Sequence, residues 1–284
     1  MLGLEDLEIG LIFWAEEDAA KTLRKVKAFG VRTGQIGFPG DLPLEGAAER
    51  WDDALTAENF IPVTAVCSYV GEDYADIPTV ARTVGLIPMA TRDERVARTK
   101  AVSAVAKQLG IDSVGCHIGV IPPEHSDALY ADIIGVAREL CDVCKANGQS
   151  FTLETGQEPA KPLLQFIEDV GRPNLKINFD PANMILYGTG DPIEALGVLG
   201  KHVISVHCKD GNWPARDKPE ALGEEVRLGT GAVDFPAFIS KLKEVGYTGP
   251  LIVEREEPDQ AKKTADVHLA IALLKKLTGR QAGN

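Results

Sequence analysis

Short apolar segments rich in β-branched residues alternate with amphipathic segments of helical period along the whole chain. The apolar segments predict eight strands: Leu7–Ala15, Val31–Phe38, Ile61–Val70, Ser113–Val120, Ser150–Glu154, Leu175–Asp180, Val203–His207 and Leu251–Glu254. The amphipathic segments predict eight helices: Glu17–Phe29, Glu45–Glu58, Asp93–Leu109, Ser126–Asn147, Pro162–Val170, Pro192–Leu199, Asp234–Val245 and Lys262–Leu277. Strands that alternate regularly with helices form a parallel sheet. Eight such units predict one α/β domain over residues 1–284, a (β/α)8 TIM barrel.

Two of the predicted connections are long: residues 71–92 after the third strand and residues 211–233 after the seventh. Both lead from a strand to a helix, and such loops form the active-site face of a barrel, so we expect them to cover a site. An open doubly wound sheet is the alternative architecture. It would carry a glycine-rich fingerprint after the first strand, which the sequence lacks.

The net charge and the cysteines limit the classes of molecule that the protein is expected to bind and the compartment in which it is expected to lie. The net charge is −12, and an acidic surface repels the phosphates of nucleic acids. No apolar run is long enough to span a bilayer, and the acidic N-terminus is unlike a signal peptide. Five scattered cysteines, with Cys141 and Cys144 inside a helical segment, indicate reduced thiols. We therefore expect a cytoplasmic protein that binds a small molecule and neither nucleic acid nor a membrane; a homo-oligomer is compatible with the sequence.

Each of the last four predicted strands ends in a side chain that can bind a metal or transfer a proton. Side chains alternate between the two faces of a strand. We expect the apolar face of each of these strands to pack against the helices, so that the polar residue at its end points into the mouth of the barrel. These residues are Glu154, Asp180, His207 and Glu254. In the fourth strand, His117 faces inward in the same phase. Beyond His207, we expect Lys209 to face outward. We expect Asp210 to face inward and to support the metal ligands from behind.

Three carboxylates and an imidazole at one point repel one another unless a cation neutralises them. A set of three oxygens and one nitrogen suits Mn²⁺, Mg²⁺ or Co²⁺, and Zn²⁺ is also compatible. The sequence therefore predicts one divalent metal ion, with Mn²⁺ as the first choice. In the alternative interpretation, each residue merely caps a strand or forms a local ion pair.

The C-terminal half resembles the xylose isomerase-like TIM barrel superfamily, in particular its sugar phosphate isomerase/epimerase branch. The resemblance rests on Leu153-Glu-Thr-Gly-Gln-Glu158, Asn178-Phe-Asp-Pro-Ala-Asn183, Val206-His-Cys-Lys-Asp210, Gly229-Thr-Gly-Ala-Val-Asp-Phe235 and Gly246-Tyr-Thr-Gly-Pro-Leu-Ile-Val-Glu254. It implies that Glu154, Asp180, His207 and Glu254 bind the metal, and that Glu154 and Glu254 form the proton-transfer pair.

The function that follows is a metal-dependent isomerase or epimerase of a ketose or related sugar, phosphorylated or not. A metal would stabilise an enediolate as a Lewis acid while one carboxylate removes a proton and another returns it. The alternative is a metal-dependent lyase or dehydratase of a keto-sugar or keto-inositol. A phosphodiesterase like the DNA-repair endonucleases of the superfamily would need more than the five histidines present. A binding protein that has lost turnover is a further alternative.

Five residues are predicted to bind substrate: His117, Glu158, Asn183, Trp213 and Arg216. Glu158 resembles the family's second acidic residue after the fifth strand. Asn183 stands where the sugar epimerases carry a histidine; an amide can bind a sugar hydroxyl but cannot titrate. This departure leaves room for a substrate other than a simple ketose.

Overall fold

The computed structural model describes residues 3–218 and 220–280, so residues 1–2, 219 and 281–284 of the predicted domain lie outside the described residues. Its strands are β1 (Ile9–Trp14), β2 (Thr33–Phe38), β3 (Ile61–Cys67), β4 (Ser113–Cys116), β5 (Ser150–Glu154), β6 (Leu175–Phe179), β7 (Val203–Cys208), β8 (Asp210–Asn212), β9 (Glu224–Val226) and β10 (Leu251–Val253). Eight of them are parallel and close into a barrel in the order β1-β2-β3-β4-β5-β6-β7-β10. The prediction of a (β/α)8 TIM barrel is confirmed.

Ten α-helices lie in the described part of the chain. They are α1 (Ala19–Lys27), α2 (Ala47–Glu58), α3 (Ile77–Thr83), α4 (Arg92–Gln108), α5 (Ala128–Ala146), α6 (Ala160–Val170), α7 (Pro181–Leu186), α8 (Pro192–Leu199), α9 (Phe235–Glu244) and α10 (Gln260–Thr278). Aspartate side chains accept backbone N–H bonds at several helix starts, as at Asp191 before α8 and Asp234 before α9. These bonds satisfy amides that have no partner within the helix, which is why each helix begins there.

The core lies between the strands and the helices. Phe151 and Leu153 of β5 and Ile177 and Phe179 of β6 are fully buried on the outward face of the barrel, as the alternation predicts. The opposite face of each strand is thereby directed into the barrel, where polar side chains meet. No helix among the described residues is long and apolar enough to cross a bilayer.

The two long connections contain structure that the sequence does not predict. The first includes the short helix α3, and the second includes an antiparallel hairpin of β8 and β9. The backbone N–H of Ile77 donates to the carbonyl of Glu220 over 2.9 Å, so the two connections meet over the C-terminal face of the barrel. This contact agrees with the expectation that both loops cover the site.

Asp210 anchors the second connection. Its carboxylate accepts backbone N–H bonds from Gly211, Gly229, Gly231 and Val233 at 2.9–3.1 Å and is fully buried. Asp210 therefore holds a loop and does not support the predicted metal ligands, so that expectation is wrong.

All five cysteines are buried free thiols. Cys141 and Cys144 lie inside α5, and burial raises their pKa values to about 12 and about 11. A thiol with so high a pKa is neither a good nucleophile nor a good metal ligand at neutral pH. The interpretation of this pair as ordinary helix residues therefore fits the structure.

Candidate active site

Four barrel strands bring one polar residue each to a single point at the C-terminal end of the barrel. Glu154 ends β5, Asp180 directly follows β6, His207 lies near the end of β7 and Glu254 directly follows β10. One ligand atom from each of these residues lies within 4.8 Å of the others. Two metal–oxygen bonds of about 2.0–2.6 Å place ligand atoms at most about 4–5 Å apart, so the cluster has the dimensions of a cation site.

Three atoms of the cluster have no hydrogen-bond partner within the described part of the chain: Oδ2 of Asp180, Nδ1 of His207 and Oε2 of Glu254. Nδ1 of His207 lies 2.9 Å from Oε2 of Glu254, 3.4 Å from Oε1 of Glu154 and 3.5 Å from Oδ2 of Asp180. Buried polar atoms are rarely left without a partner, and a shared cation would satisfy all three. The donor set of three carboxylates and one imidazole therefore fits a divalent metal ion.

The charges in the cluster perturb each other. Burial opposes ionisation of His207 and of Glu254, but nearby opposite charges outweigh it. At His207 these charges are Glu254 and then Glu154, and at Glu254 they are Lys209 and then His207. The pKa of His207 is therefore raised well above its ordinary value, and that of Glu254 is lowered well below its own. In the metal-free protein the cluster thus favours an imidazolium among carboxylates. A divalent cation must displace that proton to bind, so metal affinity falls as pH decreases.

Glu154 is fixed by two further residues. The side-chain amide of Asn183 donates to Oε1 of Glu154 over 3.0 Å, and Nε2 of His117 lies 3.4 Å from the same atom. Asp180 positions Asn183, because its Oδ1 accepts the backbone N–H of Asn183 at the start of α7. That bond leaves Oδ2 of Asp180 free for the cluster. The structure thus brings two predicted substrate-binding residues, His117 and Asn183, into the site.

Gln35, on β2, contacts the cluster from inside the barrel and is not among the residues predicted from the sequence. Its Oε1 lies 2.8 Å from Nε2 of His207, and Asn178 places an amide nitrogen 3.0 Å from the same ring atom. The carbonyl accepts a hydrogen bond from Nε2–H and so supports the tautomer whose Nδ1 can bind a cation. The amide of Asn178 donates to Nε2 and supports the other tautomer. A glutamine in the middle of an apolar strand was the available signal.

We expect Gln35→Leu to weaken metal binding about 10- to 100-fold, the usual range for loss of a partner of a metal-binding histidine. Only Asn178 then faces Nε2, and it favours the tautomer that places a proton on Nδ1. Isothermal titration with Mn²⁺ measures the effect. Ser205→Ala is the matched control, because it removes only the hydroxyl that accepts from the amide of Gln35. Equal Mn²⁺ affinities of Gln35→Leu and Ser205→Ala would contradict this role.

Lys209 points into the site, and the expectation that it faces outward is wrong. It lies two residues after His207, and this spacing puts both side chains on one face. Its buried Nζ lies 2.8 Å from Oε1 of Glu256, 3.4 Å from Oε2 of Glu254 and 3.9 Å from Oδ2 of Asp180. Lys209 thus supplies a fixed positive charge beside the carboxylate cluster.

A cavity of about 780 Å³ opens above the cluster. Glu154 and Glu254 line it, together with His117, Asn183 and Lys209. Asp180 and His207 are fully buried and are not among the lining residues. Of the four cluster residues, only the two glutamates therefore reach both the cation position and the space for a substrate.

Three predicted substrate-binding residues are not among the residues that line this cavity. Trp213 and Arg216 are exposed in the second long connection. Glu158 is buried, and its Oε1 accepts the backbone N–H of Ile121 over 2.8 Å. The neighbouring Gln157 instead approaches the site, with Nε2 3.0 Å from Nδ1 of His117. The substrate-binding role of these three residues stays a prediction, and Glu158 has a clear structural contact.

Burial raises the pKa of Glu158 from 4.5 to about 8. The folded protein therefore binds a proton at this carboxyl that the unfolded chain releases above pH 4.5. The resulting stabilisation is complete below that pH and is lost as pH rises towards 8. We expect Glu158→Gln, which keeps an acceptor for Ile121, to raise the free energy of unfolding at pH 8 by about 4 kcal/mol, with little change at pH 4.5. Urea denaturation at both pH values tests this. An increase in KM with an unchanged pH dependence of stability would support substrate binding instead.

Comparison with known proteins agrees with this geometry. A solved structure of a xylose isomerase domain protein from Planctomyces limnophilus is 41% identical, with a TM-score of 0.89 over 95% of this chain and 97% of that one. A xylose isomerase-like TIM barrel protein from Mycobacterium smegmatis in complex with magnesium shares the fold, with a TM-score of 0.72 at 17% identity over 99% of this chain and all of that one.

Two curated relatives match over shorter regions. Inosose isomerase from Bacillus velezensis is 31% identical over 141 residues, 46% of this chain and 48% of that protein. L-ribulose 3-epimerase from a Methylomonas species is 28% identical over 152 residues, 49% of this chain and 46% of that protein. The matched regions span about half the length of these relatives. The model of the xylose isomerase-like TIM barrel family matches residues 23–277, and the chain belongs to that family.

Proposed function

We propose that the protein is a metal-dependent isomerase or epimerase of a ketose or related sugar. The observation that carries this proposal is the position of Glu154 and Glu254. Both belong to the buried cluster, and both line the cavity, whereas Asp180 and His207 lie beneath it. Two carboxylates that reach the substrate space from β5 and from the end of β10 can exchange protons with a bound sugar.

The chain's own residues supply most of the chemistry. One glutamate accepts the proton from the carbon next to the carbonyl, and the other returns a proton to that carbon or to its neighbour. Asn183 and His117 hold Glu154 in place, and Lys209 and His117 place positive charge or N–H groups where negative charge develops on the substrate oxygens. A divalent cation, Mn²⁺ by preference, bound by Glu154, Asp180, His207 and Glu254 would act as a Lewis acid towards the carbonyl.

The names of the relatives support the choice of reaction. An inosose isomerase and an L-ribulose 3-epimerase are among the curated proteins that resemble part of this chain. A solved D-psicose 3-epimerase crystallised with D-fructose shares the fold at 16% identity. We further propose a cytoplasmic location, in keeping with five buried free thiols.

The test is incubation of the Mn²⁺-loaded protein with ketoses, inososes and keto-glycosides in D₂O. We expect one epimer or isomer to form with deuterium incorporated next to the carbonyl and with no other change in mass. Loss of water from the substrate would identify the lyase alternative. Absence of both exchange and product across the panel would contradict the proposed function.

A further inference from the structure

The cavity above the cluster is larger than one sugar ring requires. A volume of about 780 Å³ lies in the upper part of the range that encloses drug-sized ligands. The cluster glutamates occupy one part of its wall. The remaining wall includes two large aromatic side chains, Trp14 and Tyr74, which are 45% and 41% exposed. Exposed aromatic surface that lines a cavity is typical of a ligand-binding region.

The indole ring of Trp14 forms a flat surface that packs against the neighbouring strand β2. It ends β1, and the barrel register pairs it with Gly37 of β2. A Cβ atom at residue 37 would lie 2.4 Å from Cε3 of the indole, so only glycine allows the ring to lie against this strand. One side of the indole is covered by backbone, and its exposed part lines the cavity. Trp14 shares this inward face with Ile12, whereas Phe13 faces the outer core.

Tyr74 is the second of these aromatic residues, and it contacts the part of the cavity wall that lies next to the cluster. It belongs to the first long connection, and its ring packs edge-on against His117 with the ring centroids 5.8 Å apart. Because His117 also contacts Glu154, the tyrosine ring is one residue away from the cluster. Aromatic rings bind the apolar faces of other rings and leave polar edges free for hydrogen bonds, as sugar rings require.

The charge of the cavity disfavours an anionic substrate. Five glutamates line it, and Lys209 is the one lysine among its lining residues, which all belong to the described part of the chain. Lys209 already contacts Glu254 and Glu256. The backbone amides of Gly229 and Gly231, which could otherwise bind a phosphate, donate to Asp210. A phosphate would therefore add negative charge to an acidic cavity whose one described lysine is already paired with carboxylates.

We propose that the site takes an uncharged glycoside, whose reacting sugar lies at the glutamates and whose second ring, a sugar or an aromatic aglycone, stacks on Trp14 and Tyr74. The proposal rests on the proposed function for the reaction at the first ring. It adds a distal subsite and excludes sugar phosphates as the preferred substrates.

Unreactive glycosides test the subsite apart from turnover. Calorimetric titration of the Mn²⁺-loaded protein compares methyl β-D-glucoside, phenyl β-D-glucoside and glucose 6-phosphate. We expect the phenyl glucoside to bind about 3- to 10-fold more tightly than the methyl glucoside, the range for one aromatic contact, and glucose 6-phosphate to bind most weakly. Trp14→Ala and Tyr74→Ala should each reduce the preference for the phenyl ring, whereas Trp14→Phe should retain it.

Equal binding of the two glucosides, binding of neither, or a preference for phenyl unchanged in both alanine variants would overturn the subsite. Binding of glucose 6-phosphate as tight as that of methyl glucoside would overturn the exclusion of phosphates. Metal affinity and circular dichroism show whether a variant is folded. A positive result here together with no reaction on the keto-sugar panel would contradict the proposed function and leave the subsite standing.

Discussion

Glu254→Gln and Glu154→Gln should each lower kcat for isomerisation or epimerisation by about 10³-fold or more, while the barrel remains folded. General acid–base catalysis alone contributes about 10²- to 10⁴-fold, and each glutamate is also a candidate metal ligand. Glutamine keeps the size and one oxygen of the side chain, so the packing around the cluster should survive. Steady-state rates at several Mn²⁺ concentrations measure the effect.

Two comparisons separate proton transfer from simple loss of the metal. If the carboxylate only bound the metal, high Mn²⁺ would restore kcat; we expect kcat to stay low at saturation. In an epimerase, the glutamate that remains in each variant can still remove and return a proton on its own face. Deuterium exchange without net epimerisation would therefore persist for one sugar epimer. Glu256→Gln is the matched control, since Glu256 lines the cavity outside the cluster, and it should retain kcat within about tenfold. Wild-type kcat in either cluster variant would remove the proton-transfer assignment.

The alternation of side chains along each strand predicts the main residues of this site, because these residues lie at strand ends. Glu154 and Phe151 face opposite sides of β5, and the same phase orients Asp180 and His207 on their own strands. The closed barrel then brings these ends together, since parallel strands share one C-terminal edge. A pattern read one strand at a time therefore predicts a site whose members lie far apart in sequence.

Contacts between residues of distant strands could not be predicted from the alternation within a single strand. Gln35 meets His207 across 172 residues, and nothing near either residue indicates the partner. The helix α7 is buried on all sides, so it shows no amphipathic period. The hairpin strands β8 and β9 have three residues each, too few for an alternation to be recognised.

The aromatic and acidic residues that were predicted to bind substrate in the loops do not line the cavity, and residues at other positions take their place. Trp213 opens the second long connection, as a stacking residue should, yet it is not among the residues that line the cavity. The indole that lines it is that of Trp14, at the end of the first strand, where the sequence is equally compatible with a pocket wall and with core packing. The choice depends on Gly37, which leaves room for the Trp14 ring on the neighbouring strand. Likewise, Glu158 turns towards Ile121 while Gln157 faces His117, because residues after the end of β5 no longer alternate.

Metal removal should abolish activity and lower the melting temperature, and Mn²⁺ should restore both. Without a cation, three carboxylates face one imidazole with unpartnered buried oxygens. At a free Mn²⁺ concentration of about 100 times Kd, binding to the folded state adds about 2.7 kcal/mol to the free energy of unfolding. For a chain of 284 residues that corresponds to a rise of about 5 °C, which differential scanning calorimetry of chelator-treated and reloaded protein detects.

Two aspartate variants show whether this response comes from the cluster. Asp180→Asn keeps an oxygen that can accept the backbone N–H of Asn183 and so preserve α7, but it removes a charged ligand, and we expect its melting temperature to respond little to Mn²⁺. Asp234→Asn alters a helix cap at α9, where asparagine also caps well, so it should retain the full response. The cluster is a cation site only if the two variants differ. Equal stabilisation of both by Mn²⁺ would mean that the ion binds elsewhere, and the metal-dependent mechanism would lose its structural basis.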